Sequence, residues 1–421
     1  MSRHVAVIGA GIEGACSALA LLRAGHRVTL LDPGRPGGEQ AASFGNAGWF
    51  SSHSVLPPSL PGLWRKVPGF LSDPLGPLAI RWSYFPKVLP WLLRYLSAGA
   101  SEAKLLRIAQ ALRPLLKDSP LLHEALAREA GVPELVERKG LIHAFHTRAG
   151  FEAEAMGWRI RRQVGIDWRE LEGEALRAVE PDLDPAYGFG VLVEEAGRCL
   201  DPGAYVAALV AQAQREGATL RPVAARGLRI EGGRLRGVAL ADGSQLDCEA
   251  AAICCGAHSV ALAAQAGDRV PLESERGYHV MLRGTNIGPR HSMSLSAARM
   301  VVNPMRDGLR AAGQVEIAGL AAAPNWKRAE ILRDHLLKSF PDLPDPFPAE
   351  RVSVWMGHRP SMPDGMPCLG PASATPDVVH AFGHGHVGLV AGPRTGRIVA
   401  QLLSGRAPEI PIAPFAPTRF R

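Results

Sequence analysis

The sequence predicts an α/β protein built around a parallel sheet, and three consecutive stretches carry this prediction. The largely apolar run His4–Ile8 leads into a turn that contains three glycines. Residues 15–22 are rich in alanine and leucine, which predicts a helix, and a second apolar run, Arg27–Leu31, ends at Asp32. A strand, a glycine turn, a helix and a strand that ends in an acidic residue about twenty positions on form the βαβ unit of a dinucleotide site.

Each glycine of the turn has its own task. Gly9 permits the sharp turn, Gly11 removes the Cβ that would obstruct a pyrophosphate, and Gly14 lets the helix pack against the sheet. Phosphate oxygens then meet the unsatisfied N–H groups at the helix start, and Asp32 accepts hydrogen bonds from ribose hydroxyls. The predicted cofactor contacts here are Gly9, Gly11, Ile12, Glu13, Gly14 and Asp32.

Composition narrows the class of protein. The chain has 421 residues, of which 47% are hydrophobic and 21% charged, so we expect a globular protein with two structural units. The net charge of +7 favours anionic ligands, but no basic block indicates nucleic acid binding. The six cysteines lack metal-ligand spacing, so we interpret them as reduced packing residues, and no metal site is predicted.

We expect a cytoplasmic protein. Residues 5–10 are too short for the apolar region of a signal peptide, and no apolar span approaches the length of a membrane-spanning helix. Residues 55–95 are rich in Pro and Trp, with Lys and Arg among them. Two interpretations stay open for this segment: peripheral contact with the inner face of the membrane, or aromatic side chains that pack a loop against the core, which is favoured slightly.

The middle of the chain predicts helices first and then strands. Residues 101–130 have helical periodicity for about two helices, residues 140–145 predict a strand, and residues 151–164 and 171–181 predict further helices. Asp201 and Pro202 are an N-cap and a helix-start proline, so residues 201–217 predict a helix.

A strand, a β-meander and a buried parallel strand follow that helix. The strand is predicted at residues 218–223, the meander at residues 227–243, and the parallel strand at residues 250–257. Because nucleotide ligands lie at the carboxyl ends of parallel strands, we also expect Val223, Cys255 and Gly256 to contact the cofactor.

Three further motifs lie far apart in the sequence. Residues 42–48 form a loop of small residues, which lets backbone lie flat along a ring system. Residues 357–367 contain Arg359, which stands just before Pro360 and soon after the apolar, strand-like residues 352–356. Residues 383–389 form a glycine-rich turn that feeds a predicted helix at residues 387–403, whose first N–H groups and positive dipole end suit a developing anion.

Together with the first glycine turn, these motifs resemble the D-amino acid oxidase superfamily of FAD-dependent amine oxidoreductases, most closely its D-amino acid dehydrogenase and hydroxyproline dehydrogenase members. The resemblance implies a doubly wound Rossmann-like FAD-binding domain, interleaved with an α+β substrate domain built on a mixed sheet. We assign residues 1–55, 187–270 and 352–421 to the FAD-binding domain. Residues 56–186 and 271–351 then form the substrate-binding domain.

The same resemblance implies flavin contacts in two of the motifs. In the small-residue loop they are Ala42, Ser43, Asn46, Ala47 and Gly48, with Trp49 and His53 as candidates for the substrate side. For His53 a solvated loop histidine is the favoured interpretation. In the last motif they are Gly383, His384, Gly385, Val387, Gly388 and Leu389. The backbone donors of Val387, Gly388 and Leu389 would stabilise negative charge on the reduced flavin. A non-covalent cofactor is preferred.

Arg359 is the main candidate for substrate recognition. Its planar guanidinium can hold a carboxylate bidentately, although a structural arginine is the alternative. The matching arginine in relatives holds the carboxylate of an amino acid. Tyr278 and His279 are further catalytic candidates on a predicted strand, where a core or solvated role stays equally open. A tyrosine that relatives often use is absent from residues 299–304.

These parts imply hydride transfer from the α-carbon of a D-amino acid, or of a cyclic imino acid such as hydroxyproline, to N5 of the flavin. The electrons are expected to pass to a quinone or a respiratory carrier. An oxygen-using glycine or sarcosine-type amine oxidase, a nicotinamide-dependent dehydrogenase and a flavin-carrying subunit of a larger complex are the alternatives.

Overall fold

The computed structural model describes residues 2–73, 75–76 and 78–421. This part of the chain has a mixed α/β fold with parallel and antiparallel sheets, so the predicted fold class is confirmed at that level. The doubly wound order of the cofactor domain stays a prediction.

The first sheet contains the predicted βαβ unit. Among the described residues it has six strands, in the spatial order Thr219–Arg221, Arg27–Leu31, His4–Ile8, Ala250–Ile253, Val378–Phe382 and Cys368–Pro371. All run parallel except the last. His4–Ile8 is therefore central. The parallel strand predicted at residues 250–257 lies beside it but ends at Ile253, because the chain turns into the 3-10 helix Gly256–His258.

The two faces of this sheet are covered differently. One face packs on the helices Ile12–Arg23, Pro202–Arg215 and Gly388–Leu403. The other face packs on an antiparallel meander of Ala225–Glu231, Arg234–Leu240 and Gln245–Asp247 and on the short helix Val260–Gln265.

The second sheet is larger and mixed. Its strands follow the order Val352–Ser361, Glu273–Arg283, Gly308–Ile317, Met300–Met305, Ser292–Leu295, Leu141–Phe145, Phe189–Val193 and Arg169–Glu172, with Leu78–Ile80 beside Gly308–Ile317. One face packs on the helix Lys327–Ser339 and forms a separate apolar core. We call the opposite face, which carries Arg359, the site face.

The remaining elements connect and cover these sheets. A small sheet joins Trp49–Phe50, Gly197–Cys199 and Val136–Glu137. The other α-helices are Val67–Ser72, Phe85–Ala98, Glu102–Leu116, Ser119–Glu129, Arg148–Glu152, Ala155–Gln163 and Glu174–Val179. Short 3-10 helices occupy Leu63–Lys66, Trp82–Tyr84, Pro133–Leu135, Gly256–His258, Ala349–Arg351, Ala413–Phe415 and Pro417–Phe420.

Most of the predicted elements are confirmed, and two are wrong in part. Asp201 caps its helix as expected, since its Oδ1 accepts a hydrogen bond from the Ala204 N–H at 2.9 Å. The helix predicted at residues 151–164 is two helices with a break between Glu152 and Ala155. Residues 169–172 form an edge strand instead of a helix start, because the helix begins only after Gly173, at φ 47°.

No helix in residues 2–73, 75–76 and 78–421 has both the length and the apolar character needed to span a bilayer.

Candidate active site

A cavity of about 700 Å³ lies between the carboxyl ends of the first sheet and the site face of the second. We call it the main cavity. It brings together most of the predicted site residues, which come from distant parts of the sequence. Those that line it are Gly9, Gly11, Ile12, Glu13, Asp32, Ala42, Ser43, Asn46, Ala47, Cys255, Gly256, Tyr278, Arg359, Gly383, His384, Gly385, Gly388 and Leu389.

The glycine turn forms one end of the main cavity. Gly9 has φ 104°, and a Cβ there would lie 2.5 Å from the carbonyl oxygen of Cys254. A Cβ on Gly14 would lie 1.8 Å from the carbonyl oxygen of Gly9, so Gly14 permits helix packing, as predicted, but lies outside the cavity lining. Gly11 has only the Ser43 hydroxyl near its Cβ position, at 3.4 Å, and leaves room for a ligand.

Asp32 is fixed at the end of its strand. Its Oδ2 accepts a hydrogen bond from the Ala10 N–H and its Oδ1 accepts one from the Gly34 N–H, both at 2.8 Å. At the helix start, the Ile12 N–H donates to the Ser43 hydroxyl at 3.1 Å. Ser43 therefore caps one of the helix donors as well as lining the cavity.

Glu13 is a buried carboxyl group at this end of the main cavity. It is 8% exposed, and neither carboxyl oxygen has a hydrogen-bond partner among the described residues. Its Oε1 lies 3.3 Å from Nδ1 of His384. Burial raises the pKa of Glu13 well above its ordinary value and lowers the pKa of His384 to about 3, so both groups are held towards neutrality. Polar atoms that face a cavity in this way fit a polar ligand such as a dinucleotide cofactor.

The small-residue loop is held from the second sheet by a residue that the sequence did not indicate. Nη1 of the buried Arg310 donates to the carbonyl oxygen of Asn46 at 2.6 Å and to that of Phe44 at 3.2 Å. Burial lowers the pKa of Arg310 to about 10. Gly48 lies outside the cavity lining, because its Cβ position is 2.3 Å from the carbonyl oxygen of Cys199.

The last motif turns into the helix Gly388–Leu403 as predicted. Gly383 and Gly385 have φ values of 80° and 53°, which only glycine adopts at little cost. Val387 differs from the prediction: its N–H donates to the carbonyl oxygen of His384 at 2.9 Å, and the residue lies outside the lining. Gly388 and Leu389 line the cavity at the helix start, where N–H groups have no intrahelical acceptor.

Arg359 lies within the strand Val352–Ser361, where the sequence predicted it after the strand end. Its guanidinium extends over Gly277 of the neighbouring strand, so a Cβ on Gly277 would lie 2.3 Å from Cζ of Arg359. Nη1 donates to the backbone carbonyl of Gln314 at 3.3 Å. Gln314 is an extra residue in its strand, at φ 57°, where the register between Gly277 and Tyr278 shifts. This β-bulge aims a carbonyl at the arginine.

A buried carboxylate balances the charge of Arg359. Glu275 is directly opposite Arg359 in the sheet register and is 3% exposed. Its Oε2 lies 3.1 Å from Nε2 of His386 and accepts a hydrogen bond from the Ser361 hydroxyl at 2.9 Å. Burial raises the pKa of Glu275, but these hydrogen bonds and the Arg359 charge outweigh it, so the pKa is lowered. Burial lowers the pKa of Arg359, and Glu275 opposes that shift.

Tyr278 and His279 are held by protein groups. Tyr278 belongs to the core on the helix side of the second sheet, and its hydroxyl donates to Oε2 of Glu316 at 2.7 Å. His279 lies outside the cavity lining, stacked on the ring of Trp355 with Nδ1 3.1 Å from the carbonyl oxygen of Gly45. Tyr278 lines the main cavity but commits its hydroxyl to Glu316, and a catalytic role for either residue stays a prediction. Val223 also lies outside, although residues 224–226 line the cavity.

His53 corrects another expectation. It is 1% exposed, so the solvated interpretation is wrong. Its Nε2 lies 2.8 Å from Nε2 of His143. Trp49 lines the main cavity, and its indole N–H has no hydrogen-bond partner among the described residues.

Comparisons with known proteins show the family of the chain. A family model described as FAD dependent oxidoreductase matches residues 4–402. The D-amino-acid oxidase of Bradyrhizobium diazoefficiens is 62% identical over 418 residues, 99% of each chain. The D-amino acid dehydrogenase of Methylobacterium sp. strain 4-46 is 31% identical over 432 residues, also 99% of each chain.

Solved structures with a similar fold cover nearly the whole chain. Glycine oxidase from Geobacillus kaustophilus matches with a TM-score of 0.72 and 22% identity, over 99% of both chains. L-proline dehydrogenase from P. horikoshii matches with a TM-score of 0.74 and 18% identity, over 100% of this chain and 98% of that one. With a family model across almost all of its length and a relative at 62% identity, the chain belongs to the FAD-dependent oxidoreductase family, which confirms the resemblance seen in its motifs.

Proposed function

We propose that this FAD-dependent oxidoreductase oxidises D-amino acids, or cyclic imino acids such as hydroxyproline, at the carbon beside the amine. The observation that carries the proposal is the position of Arg359. Its guanidinium lies over Gly277 and lines the same cavity as the glycine turn. The names of the relatives at 62% and 31% identity support the D-amino acid class.

The chain's own residues have distinct tasks in this proposal. Arg359 binds the substrate carboxylate, and Glu275 and the Gln314 carbonyl hold its guanidinium in place. His386 lines the cavity, and its Nε2 lies within hydrogen-bond distance of Glu275. Its other ring nitrogen, Nδ1, is then free to accept a proton from the substrate ammonium. Bound FAD supplies the two-electron acceptor that takes the α-hydrogen as a hydride.

The division of the chain follows the same logic. We assign residues 1–55, 187–270 and 352–421 to a doubly wound Rossmann-like FAD-binding domain and residues 56–186 and 271–351 to the substrate domain. The parallel strands and the glycine turn support the first assignment. The mixed sheet that carries Gly277 and Gln314 supports the second.

For the electron acceptor we propose a quinone or respiratory carrier, with the protein cytoplasmic and in contact with the inner face of the membrane. Residues 60–93 support this interpretation, because several large apolar side chains there are exposed. They are Leu60 at 42%, Trp64 at 63%, Trp82 at 66%, Leu89 at 39% and Leu93 at 61%. Aromatic and leucine side chains of this kind insert at the bilayer interface. Trp91 of this segment and the nearby Tyr95 pack into a core, so the alternative interpretation holds for these two residues.

Use of oxygen is the second candidate, because the relative at 62% identity is named an oxidase. The two candidates separate in one assay with purified protein and a D-amino acid. Rapid reduction of dichlorophenol-indophenol with slow oxygen uptake supports the carrier, and rapid oxygen uptake with poor dye reduction supports the oxidase.

The substrate class is tested by anaerobic bleaching of the flavin. D-alanine, D-proline and trans-4-hydroxy-D-proline are compared with their L-enantiomers. Arg359→Ala is expected to lower the bleaching efficiency by at least about a hundredfold while flavin stays bound, because a charge-assisted bidentate contact is lost. Arg359→Lys is the matched control that keeps the charge. The proposal would be refuted if Arg359→Ala bleached as efficiently as the unsubstituted enzyme. It would also be refuted if none of these compounds bleached the flavin.

A further inference from the structure

The site face of the second sheet continues beyond Arg359 as a strip of small and apolar residues. Val315 pairs with Gly277, over which the guanidinium lies. Ala312 pairs with His279, which is two positions after Gly277 in the strand Glu273–Arg283. Val301 pairs with Ala312 on the next strand, and Ser294 pairs with Val301 on the one after. Val315, Ala312, Val301 and Ser294 all line the main cavity.

Sheet geometry places this strip within reach of a substrate side chain. Neighbouring strands are about 4.8 Å apart and residues rise about 3.4 Å along a strand, so Ala312 lies roughly 8 Å from Gly277. If Arg359 holds the carboxylate of the substrate above Gly277, the side chain of the substrate therefore lies over the strip. Trp49 lines the cavity nearby with its unpartnered N–H, together with the hydroxyl-bearing Ser51 and Ser54.

The strip has no carboxylate among its own residues. Of the described residues that line the main cavity, the carboxylates are Glu13, in the helix Ile12–Arg23, and Asp32, after the strand Arg27–Leu31. The charged lining residue next in sequence to the strip is Arg299, at φ 48° in the turn before the strand of Val301. A cationic side chain on the strip would lose water without gaining an anionic partner.

We propose that Val315, Ala312 and Val301 form the side-chain subsite of the enzyme and select uncharged side chains of medium length against cationic ones. This inference rests on the proposed function and deepens it. Ala312 is the specificity-determining position, since its small side chain leaves the space that a longer substrate occupies.

The decisive comparison uses the holoenzyme and two amino acids of nearly equal shape. D-norleucine and D-lysine differ in that lysine ends in an ammonium group where norleucine ends in a methyl group. We expect anaerobic flavin bleaching to be at least about ten times more efficient with D-norleucine than with D-lysine, because the ammonium is desolvated unpaired. Equal efficiency, or a preference for D-lysine, would overturn the proposal.

Two substitutions at Ala312 test the position itself. Ala312→Leu fills the subsite and is expected to lower bleaching by D-norleucine at least about tenfold more than bleaching by D-alanine. Ala312→Asp supplies a carboxylate and is expected to narrow the difference between D-lysine and D-norleucine. Ala103→Leu, on an exposed helix position away from the cavity, is the matched control.

The outcomes separate the two levels of the proposal. If D-alanine bleaches the flavin but Ala312→Leu lowers bleaching by D-alanine and by D-norleucine equally, the subsite proposal is wrong and the proposed function stands. If no D-amino acid bleaches the flavin of the unsubstituted enzyme, the proposed function fails and the subsite fails with it.

Discussion

The backbone carbonyl of Gln314 accepts a hydrogen bond from Nη1 of Arg359 at 3.3 Å. The carbonyl is available because Gln314 is an extra residue in its strand, with φ 57°. A regular strand would direct its carbonyl along the ladder towards the neighbouring strand. The bulge thus supplies a fixed acceptor for the group that we propose binds the substrate.

The conformation of Gln314 gives the first prediction. A β-branched residue is strongly disfavoured at positive φ, so Gln314→Val is expected to lower the free energy of unfolding by about 1–3 kcal/mol and to raise KM for the amino acid. Gln314→Asn tolerates this conformation and is the control. Chemical denaturation monitored by flavin fluorescence measures the stability. Equal stability of the two variants would contradict the strained bulge.

Gly277 gives the second prediction. Because a Cβ there would lie 2.3 Å from Cζ of Arg359, Gly277→Ala must displace the guanidinium. We expect KM for the amino acid to rise at least about tenfold, equivalent to about 1.4 kcal/mol, with the flavin still bound. Gly69→Ala is the matched control, since no atom of the described residues lies within 4 Å of its Cβ position. An unchanged KM in Gly277→Ala would show that Arg359 does not bind substrate.

Arg310 gives the third prediction. Arg310→Met keeps an unbranched apolar stem but leaves the carbonyl groups of Phe44 and Asn46 without their donor. Loss of a donor to buried carbonyls costs about 1–3 kcal/mol, so FAD is expected to dissociate at least about tenfold faster. Dilution followed by flavin fluorescence measures the release. Substitution of the exposed Arg269 by Met is the control. If FAD were released from Arg310→Met and from Arg269→Met at the same rate, a role for Arg310 in holding the loop would be contradicted.

The buried histidines give the fourth prediction. Burial lowers the pKa of His123, His143 and His279 to about 3. In the unfolded chain the same groups titrate near about 6.5, so on acidification the unfolded state binds their protons first. Stability is therefore complete above about pH 6.5 and is lost as the pH falls towards the folded pKa values.

We expect Tm to fall by at least about 5 °C between pH 7 and pH 5, measured by differential scanning calorimetry. His123→Gln removes one of these groups and is expected to flatten the dependence. His123 is chosen because its ring bonds Tyr205 and the Leu389 carbonyl and does not line the main cavity. A Tm that rises on acidification would contradict the assignment.

The parts of the site that sequence predicted are those with local signals. The glycine turn and Asp32 follow from spacing alone, and Arg359 follows from its proline neighbour and the resemblance. The residues that sequence missed act through register. Glu275 faces Arg359 only because the two strands pair at that position, and the Gln314 bulge has no composition cue.

Strand register also decides which predicted residues face away from the site. Tyr278 follows Gly277 directly, so alternation turns its side chain to the opposite face of the sheet. A sequence without pairing information cannot assign that parity. The burial of His53 cannot be predicted from the loop sequence for a related reason. Its partner His143 is 90 residues distant, on a strand that nothing in the loop sequence identifies.

The position of His4–Ile8 in the middle of the first sheet has a consequence for biogenesis. This strand is synthesised long before Ala250–Ile253, with which it pairs on one side. The strand Val378–Phe382, which pairs with the far side of Ala250–Ile253, is synthesised later still. During translation one edge of His4–Ile8 therefore stays unpaired until Ala250–Ile253 has left the ribosome. Cofactor capture is therefore a late event, and nascent chains that stall early present a bare edge to chaperones or to one another.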